Sequence, residues 1–191
     1  MKSILEYAQD VFLRLNNLMR GLTPLFIPVV LMKKYILFIA AVAGLDQFTK
    51  YLVIHNMELY ESFSVIEGFF NITFILNPGA AFGMMADLNE AYRQLFFIII
   101  TIIAIIIIVS LAYREKQHKL RLFSYMLIIS GALGNLIDRI FIGKVVDFLD
   151  FYIGKYHWPA FNVADCAISV GIFFLIVDII FFKEVKSADK A

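Results

Sequence analysis

Residues 96–108 read Phe-Phe-Ile-Ile-Ile-Thr-Ile-Ile-Ala-Ile-Ile-Ile-Ile and lie inside an apolar block that runs from about Arg93 to Tyr113. In water, so many β-branched residues would favour strands. The block is about 20 residues long, however, and a helix of that length crosses the roughly 30 Å of hydrocarbon in a bilayer. A backbone exposed to lipid must satisfy its hydrogen bonds within its own segment. The stretch therefore predicts a membrane-spanning helix.

Three further apolar blocks of similar length flank this one, at about Tyr35–Ile54, Leu122–Phe141 and Phe161–Phe182. The chain of 191 residues is 61% hydrophobic and 17% charged. Soluble domains are about 45–50% apolar and about 25% charged. We therefore expect an all-α integral membrane protein with four transmembrane helices.

Basic residues predict the orientation of these helices, because short cytoplasmic loops are enriched in lysine and arginine. The loop 55–92 contains neither. Basic residues lie instead before the first block, between the second and third blocks, and after the fourth: Lys2, Arg14, Arg20, Lys33, Lys34; Arg114, Lys116, Lys119, Arg121; Lys183, Lys186, Lys190. Both termini are thus predicted to be cytoplasmic. The loops 55–92 and 142–160 are predicted to lie outside, with Lys144 and Lys155 as mild exceptions.

The loop 55–92 is long enough to hold local structure. Residues 69–76 are rich in strand formers, and Asn77-Pro78-Gly79 supplies turn chemistry directly after them. We expect a short strand or a small sheet in this loop, forming an extracytoplasmic β-rich cradle on the outer membrane surface.

The first residues of the chain are set apart from the four blocks. Residues 1–31 are predicted to be an N-terminal extension, residues 32–186 a four-span domain, and residues 187–191 a cytoplasmic tail. The extension mixes apolar with charged residues, and Pro24 and Pro28 then break any helix. An amphipathic helix on the inner membrane face is one interpretation. The alternative is a natural start at Met32, where Met-Lys-Lys precedes an apolar run.

Polar residues inside the blocks are unexpected, because a charge at the centre of a membrane helix costs about 2.5–3.5 kcal/mol even on the gentler scale. They recur on three blocks at helical spacings of three and four: Asp46 and Lys50; Gly131, Asn135 and Asp138, with Arg139 adjacent; Asn162, Asp165 and Ser169. Under the predicted orientation, the polar residues at six positions lie toward the outer ends of their helices: Asp46, Lys50, Asn135, Asp138, Asn162 and Asp165. They are therefore expected to meet at one depth.

A structural role also fits several of these positions. Asp46 and Lys50 are equally compatible with a simple ion pair, and Gly131 and Gly134 with close helix packing. Asp178, near the inner end of the fourth block, is expected to be a solvated or snorkelling group.

A run of acidic residues precedes the fourth block in Val145-Val146-Asp147-Phe148-Leu149-Asp150-Phe151. Two carboxylates brought together cannot both ionise easily, so one keeps its proton. Such a pair can activate water with one member and protonate a carbonyl oxygen with the other, which is the chemistry of aspartic peptidases. Spacing alone leaves Asp138, Asp147 and Asp150 open as the partner of Asp165.

Five motifs occur in order along residues 33–183: Asp46-Gln47-Phe48-Thr49-Lys50; Asn77-Pro78-Gly79-Ala80-Ala81-Phe82-Gly83; Gly131-Ala132-Leu133-Gly134-Asn135-Leu136-Ile137-Asp138-Arg139; Val145-Val146-Asp147-Phe148; Phe161-Asn162-Val163-Ala164-Asp165. Together they resemble the bacterial lipoprotein signal peptidase family (signal peptidase II). A single motif would be weak evidence, whereas five in series are specific. Residues 1–31 have no counterpart in the family pattern.

The resemblance implies an aspartic endopeptidase of the bacterial cytoplasmic membrane, with its active site at the outer face. It would cleave diacylglyceryl-modified prolipoproteins just before the lipid-bearing cysteine, in contact with membrane lipid, and would bind cyclic peptide inhibitors of the globomycin type. The family's catalytic aspartates match Asp147 and Asp165. Supporting positions match Asp46, Lys50, Asn77, Asn135, Asp138, Arg139 and Asn162. No metal or organic cofactor is expected.

Other classes of function are less well supported. No basic stripe interleaved with aromatic residues indicates nucleic-acid binding. The single Cys166 excludes a cysteine-rich zinc site, and His55, His118 and His157 match no metal spacing. A transporter or proton relay is the main rival, but it should place polar residues at the membrane midplane. A non-catalytic assembly scaffold would not need the five motifs.

Overall fold

A computed structural model describes residues 29–79, 89–114 and 118–181. The elements follow in the order α1 (Val29–Asn56), β1 (Ser62–Ile66), β2 (Phe70–Asn77), α2 (Glu90–Arg114), α3 (Lys119–Phe141), β3 (Val145–Ile153), β4 (Tyr156–His157) and α4 (Val163–Phe181).

Helices α1, α2 and α3 contain the first three predicted spans, and α4 begins at Val163, two residues after the predicted start of the fourth. Each helix is long and apolar enough to cross a membrane. The isoleucine-rich block is helical throughout α2, as the requirement for internal backbone hydrogen bonds predicts. About half of the surface of Ile99, Ile103 and Ile106 is exposed. Such an apolar exterior would be unfavourable in water and suits contact with lipid tails.

The chain divides into two compact units, Met1–Leu37 and Phe38–Ala191. The described part of the first unit is the beginning of α1, whose first residue, Val29, directly follows Pro28 in the sequence. Most of the predicted N-terminal extension and the whole predicted tail, residues 187–191, lie outside the described residues. The sheet and the polar residues described below belong to the second unit.

A four-stranded antiparallel sheet, ordered β1-β2-β3-β4, lies between the helices in the chain. Strand β2 confirms the strand predicted at residues 69–76, and Gly79 in the predicted turn has a φ of +91°. The β2–β3 pairing joins distant parts of the chain, from Phe70 opposite Phe151 to Asn77 opposite Val145. This long-range pairing brings the acidic run against the turn residue Asn77.

Helices α3 and α4 pack closely where glycine leaves room. A Cβ atom on Gly131 would collide with the backbone oxygen of Ala164, and one on Gly134 would meet the carboxylate of Asp46. The expected packing role of both glycines is therefore confirmed. A small apolar core of Val53, Phe74, Val146 and Phe148 joins the end of α1 to the sheet. The end of α1, the start of α4 and strand β3 thus surround the last turns of α3.

Candidate active site

Lys50 is the centre of a buried ionic cluster on α1 and α3. Its side chain is 2% exposed, and its Nζ lies 2.8 Å from a carboxylate oxygen of Asp46 and 2.8 Å from one of Asp138. It also donates a hydrogen bond of 3.0 Å to Oδ1 of Asn135. An ammonium group has three donors, and these three acceptors match that number. The predicted Asp46–Lys50 pair is confirmed and gains a second carboxylate from another helix.

The two carboxylates of this cluster also accept hydrogen bonds from the backbone. Asp46 Oδ1 accepts the N–H of Ala164 at 2.8 Å, which links α1 to the first turn of α4. Asp138 Oδ2 accepts the N–H of Val146 at 3.0 Å, which links α3 to β3. Satisfied hydrogen bonds of this kind are what makes buried charge tolerable. The cluster therefore holds the segments on both sides of the acidic run in place.

Gln47 was not among the predicted site residues, although it completes this cluster. Its Nε2 donates to Asp138 Oδ1 at 2.8 Å and to the backbone oxygen of Gly134 at 3.0 Å. The sequence position of Gln47 could have indicated this role. An uncharged polar side chain beside Asp46, inside an apolar block, needs a hydrogen-bond partner.

Asp147 lies on β3 and is 2% exposed. Its Oδ2 accepts a hydrogen bond of 2.8 Å from Asn77 Nδ2, and its Oδ1 accepts one of 2.6 Å from Asn162 Nδ2. Burial raises the pKa of Asp147 from 3.8 to about 6. The hydrogen bond from Asn77 opposes this rise in pKa, whereas the nearby charge of Asp165 adds to it. The two aspartates therefore interact electrostatically.

Asp165 lies in the first turn of α4 and is held by two asparagines. Asn135 Nδ2 donates to its Oδ1 at 2.7 Å, and its own backbone N–H donates to Asn162 Oδ1 at 2.9 Å. Asn162 directly precedes α4, so this second bond is an N-cap. The cap fixes the helix start and, with it, the position of the Asp165 side chain.

The two asparagines also bind each other. Asn162 Nδ2 lies 3.2 Å from Asn135 Oδ1, in addition to its shorter contact with Asp147. A continuous path of side-chain hydrogen bonds therefore runs from Asp147 through Asn162 and Asn135 to Asp165. We call these four residues the aspartate bridge.

Arg139 lies beside the aspartate bridge. Its Nη1 donates to the backbone oxygen of Asn135 at 3.3 Å, and its guanidinium carbon is 5.4 Å from the centre of the Phe97 ring. Its charge attracts Asp165, Asp138 and Asp147. All nine predicted site residues thus occupy one connected region, although Ser169, which shares their spacing, is exposed.

The structure separates the three acids that spacing left open as partners of Asp165. Asp138 is bound to Lys50, whereas Asp150 accepts a hydrogen bond of 2.8 Å from His157 Nδ1. Asp147 instead accepts hydrogen bonds from the uncharged amides of Asn77 and Asn162, and it connects to Asp165 through the aspartate bridge.

The expectation that Asp178 is solvated was wrong. Its carboxylate is 3% exposed and lies 2.6 Å from Arg121 Nε. The close packing of α3 against α4 buries the carboxylate and supplies its partner.

Within residues 29–79, 89–114 and 118–181, no three histidine, cysteine, aspartate or glutamate side chains are grouped so as to hold a metal ion.

Comparisons with known proteins identify the family of this chain. The family model for signal peptidase (SPase) II matches residues 38–181. A lipoprotein signal peptidase of Syntrophus aciditrophicus is 49% identical over 161 residues, which cover 82% of this chain and 100% of the relative. One from Geobacter sulfurreducens is 50% identical over 151 residues, covering 76% of this chain and 92% of the relative.

Two solved structures of bacterial membrane enzymes share the fold of this chain. A bacterial membrane enzyme determined by the in meso method at 2.3 Å resolution superposes with a TM-score of 0.69 and 37% identity, covering 81% of this chain and 94% of the other. A second, at 1.9 Å, gives a TM-score of 0.68 and 35% identity, covering 78% and 93%. With a family model that matches well over half of its length, this chain belongs to the signal peptidase II family and is a multi-pass membrane peptidase.

Proposed function

We propose that Asp147 and Asp165 are the catalytic pair with which this signal peptidase II removes signal peptides from prolipoproteins. The observation that supports the proposal is the aspartate bridge, which joins two carboxyl groups at one end of a bundle of apolar helices. The charge of Asp165 acts on Asp147, and two interacting carboxyl groups can share a proton, as aspartic peptidases require.

The raised pKa of Asp147 indicates which aspartate of the pair is the acid and which is the base. With a pKa of about 6, the Asp147 carboxyl keeps a proton more readily than an exposed aspartate does. Asp165, which accepts a hydrogen bond from Asn135, is then the base. Water attacks the carbonyl carbon of the scissile bond and gives a proton to Asp165, while Asp147 donates its proton to the carbonyl oxygen.

The second half of the reaction returns both protons. The carbon–nitrogen bond breaks as Asp165 passes its proton to the leaving amine, and the carbonyl re-forms as its hydroxyl proton returns to Asp147. The products are an acid at the end of the signal peptide and an amine on the mature chain. The pair ends in its starting state, so each turnover consumes one water molecule.

The supporting residues have positioning roles in this proposal. Asn77 and Asn162 orient Asp147, and Asn135 orients Asp165. Asp46, Lys50 and Asp138 hold α1, α3, β3 and α4 together around the pair. Arg139 adds positive charge beside the carboxylates.

The distribution of basic residues supports a location for the catalytic pair at the outer face of the membrane. Both termini face the cytoplasm, the protein lies in the bacterial cytoplasmic membrane, and the aspartates and the sheet lie at the outer face. The signal helix of the substrate packs among the spans while its acyl chains stay in lipid. Cleavage then occurs just before the diacylglyceryl-modified cysteine. Cyclic peptides of the globomycin type compete for the same site.

A cleavage assay tests the proposal. Purified protein is incubated with a diacylglyceryl-modified precursor and with the same precursor lacking the lipid, and the products are identified by mass. We expect cleavage of the modified precursor alone, at the bond before the cysteine. Cleavage elsewhere, or cleavage that survives the loss of both carboxyl groups, contradicts the proposal.

A further inference from the structure

A groove of about 470 Å³ opens on the four-stranded sheet, outside the membrane-spanning helices. Ligand pockets occupy about 300–1,000 Å³, so its volume is sufficient for a ligand. All four strands or the turn after them contribute to its lining, and the residues that matter most here are Ser62, Asn71, Thr73, Asp150, His157 and Trp158. We call it the sheet groove.

The polar side of the sheet groove is organised around Asp150. Its carboxylate accepts hydrogen bonds from His157 Nδ1 at 2.8 Å and from the Thr73 hydroxyl at 3.2 Å. The Thr73 hydroxyl lies a further 2.7 Å from that of Ser62. Groups held in this way are ordered before any ligand arrives, which lowers the entropy lost on binding.

His157 offers a free ring position to a ligand. Because a carboxylate can only accept, Nδ1 donates to Asp150, which leaves Nε2 as the ring nitrogen available to a ligand. The side chain is half exposed. A ring nitrogen and two hydroxyls that line the same groove suit the alternating N–H and C=O groups of an extended peptide.

The other wall is apolar and leads toward the aspartates. Trp158 is 69% exposed, and Pro159 and Ala160 continue the wall to a position two residues before Asn162. At the same end, the lining residue Ile75 is the cross-strand partner of Asp147. The sheet groove is therefore continuous with the strand pair that carries a proposed catalytic residue.

We infer that the sheet groove binds, in an extended conformation, the stretch of substrate polypeptide that follows the scissile bond. This inference rests on the proposed function, since it needs a substrate cut beside Asp147. A signal helix is apolar and fits among the spans, so it has no need of hydroxyl and imidazole groups. The chain that follows the cut leaves the membrane, and the sheet groove lies next to the strand pair that carries Asp147.

Two diacylglyceryl-modified peptides with the same signal segment test the inference. The short peptide ends one residue after the modified cysteine, and the long one continues for about 10 residues at roughly 3.3 Å each, enough to follow the groove. We expect the intact protein to cleave the long peptide with a KM roughly three- to tenfold lower, from one or two net hydrogen bonds. The kcat values should be similar.

Variants then locate the effect. In His157→Ala, Asp150→Asn and Trp158→Ala, the KM for the long peptide should rise to the value for the short one, with the short peptide unaffected. Tyr156→Ala is the matched control, because Tyr156 is an exposed aromatic residue on β4 that does not line the groove. Trp158→Ala decides the matter if the buried Asp150→Asn variant does not fold.

The possible failures are distinct. Equal KM values for the two peptides in the intact protein overturn the groove inference and leave the proposed function standing. Equal losses on both peptides in the groove variants also overturn it, because the residues would then serve the fold. If the intact protein cleaves neither peptide, the proposed function falls and the groove inference falls with it.

Discussion

One side chain, that of Asn162, contacts both aspartates of the site. Its Nδ2 donates to Asp147 at 2.6 Å, while its Oδ1 accepts the backbone N–H of Asp165 at 2.9 Å. The cap that starts α4 is therefore also the group that orients the carboxylate on β3. A local helix signal and a long-range site contact depend on the same amide.

This dual role can be separated by substitution. Asn162→Ser keeps an oxygen that caps α4 but loses the donor to Asp147, whereas Asn162→Ala loses both. We expect both variants to cut kcat strongly. Asn162→Ala alone should also lower the free energy of unfolding by about 1 kcal/mol. Cleavage kinetics and thermal unfolding in detergent measure the two effects, and a serine variant with normal kcat would refute the orienting role.

The two aspartates themselves should be indispensable. Asp147→Asn and Asp165→Asn each keep the size of the side chain but remove a carboxyl group, and each should lower kcat by more than about 10³-fold. Glu67→Gln, an exposed acid-to-amide change on the β1–β2 turn, is the control and should be fully active. Single-turnover cleavage measures the rates. Residual activity near that of the control removes the residue concerned from catalysis.

The rate should depend on pH through the proton on Asp147. Because burial raises its pKa to about 6, kcat/KM should fall as the pH rises through that region and the proton is lost. The hydrogen bond from Asn77 stabilises the ionised form, so Asn77→Ala should raise this pKa and move the falling limb to higher pH. Both apparent values of the profile belong to the coupled pair. If the falling limb of the pH profile does not move in Asn77→Ala, the assignment of this limb to the proton on Asp147 is contradicted.

Replacing Lys50 should lower the free energy of unfolding more than replacing a surface cation does. Lys50→Met leaves the buried carboxylates of Asp46 and Asp138 without their shared partner, and removing one member of such a cluster costs about 3–5 kcal/mol. Lys144, which forms an exposed pair with Glu90, provides the comparison, since Lys144→Ala should cost at most about 1 kcal/mol. Thermal unfolding of the two variants in detergent decides; equal stabilities would contradict the buried-cluster interpretation.

The four helices could be predicted because their signal is local. A block such as residues 96–108 has the length and apolarity of a span regardless of what surrounds it, and the spacing of Asp46 and Lys50 places them on one helix face. The strand at residues 70–77 followed from its residue types and the turn after it. The five motifs further indicated the family, which the comparisons confirm.

The partner of Asp165 could not be chosen among the three acids from the local sequence. Asp138, Asp147 and Asp150 lie within 13 consecutive residues of the chain (138 to 150) and look alike in the sequence. Their differences arise from partners far along the chain: Lys50 for the first, Asn77 for the second and Thr73 for the third. The buried Asp178 was misjudged for the same reason, because Arg121 approaches it only through helix packing.

By itself, the sequence determined that this chain forms apolar helices, where polar residues interrupt them, and which family it belongs to, since composition, period and motif order are properties of contiguous residues. The tertiary structure alone decided that Asn162 and Asn135 join Asp147 to Asp165, and that Asp150 faces His157 in a separate groove. The physical reason is that β2–β3 pairing and α3–α4 packing set which side chains meet, and both depend on residues widely separated in the chain.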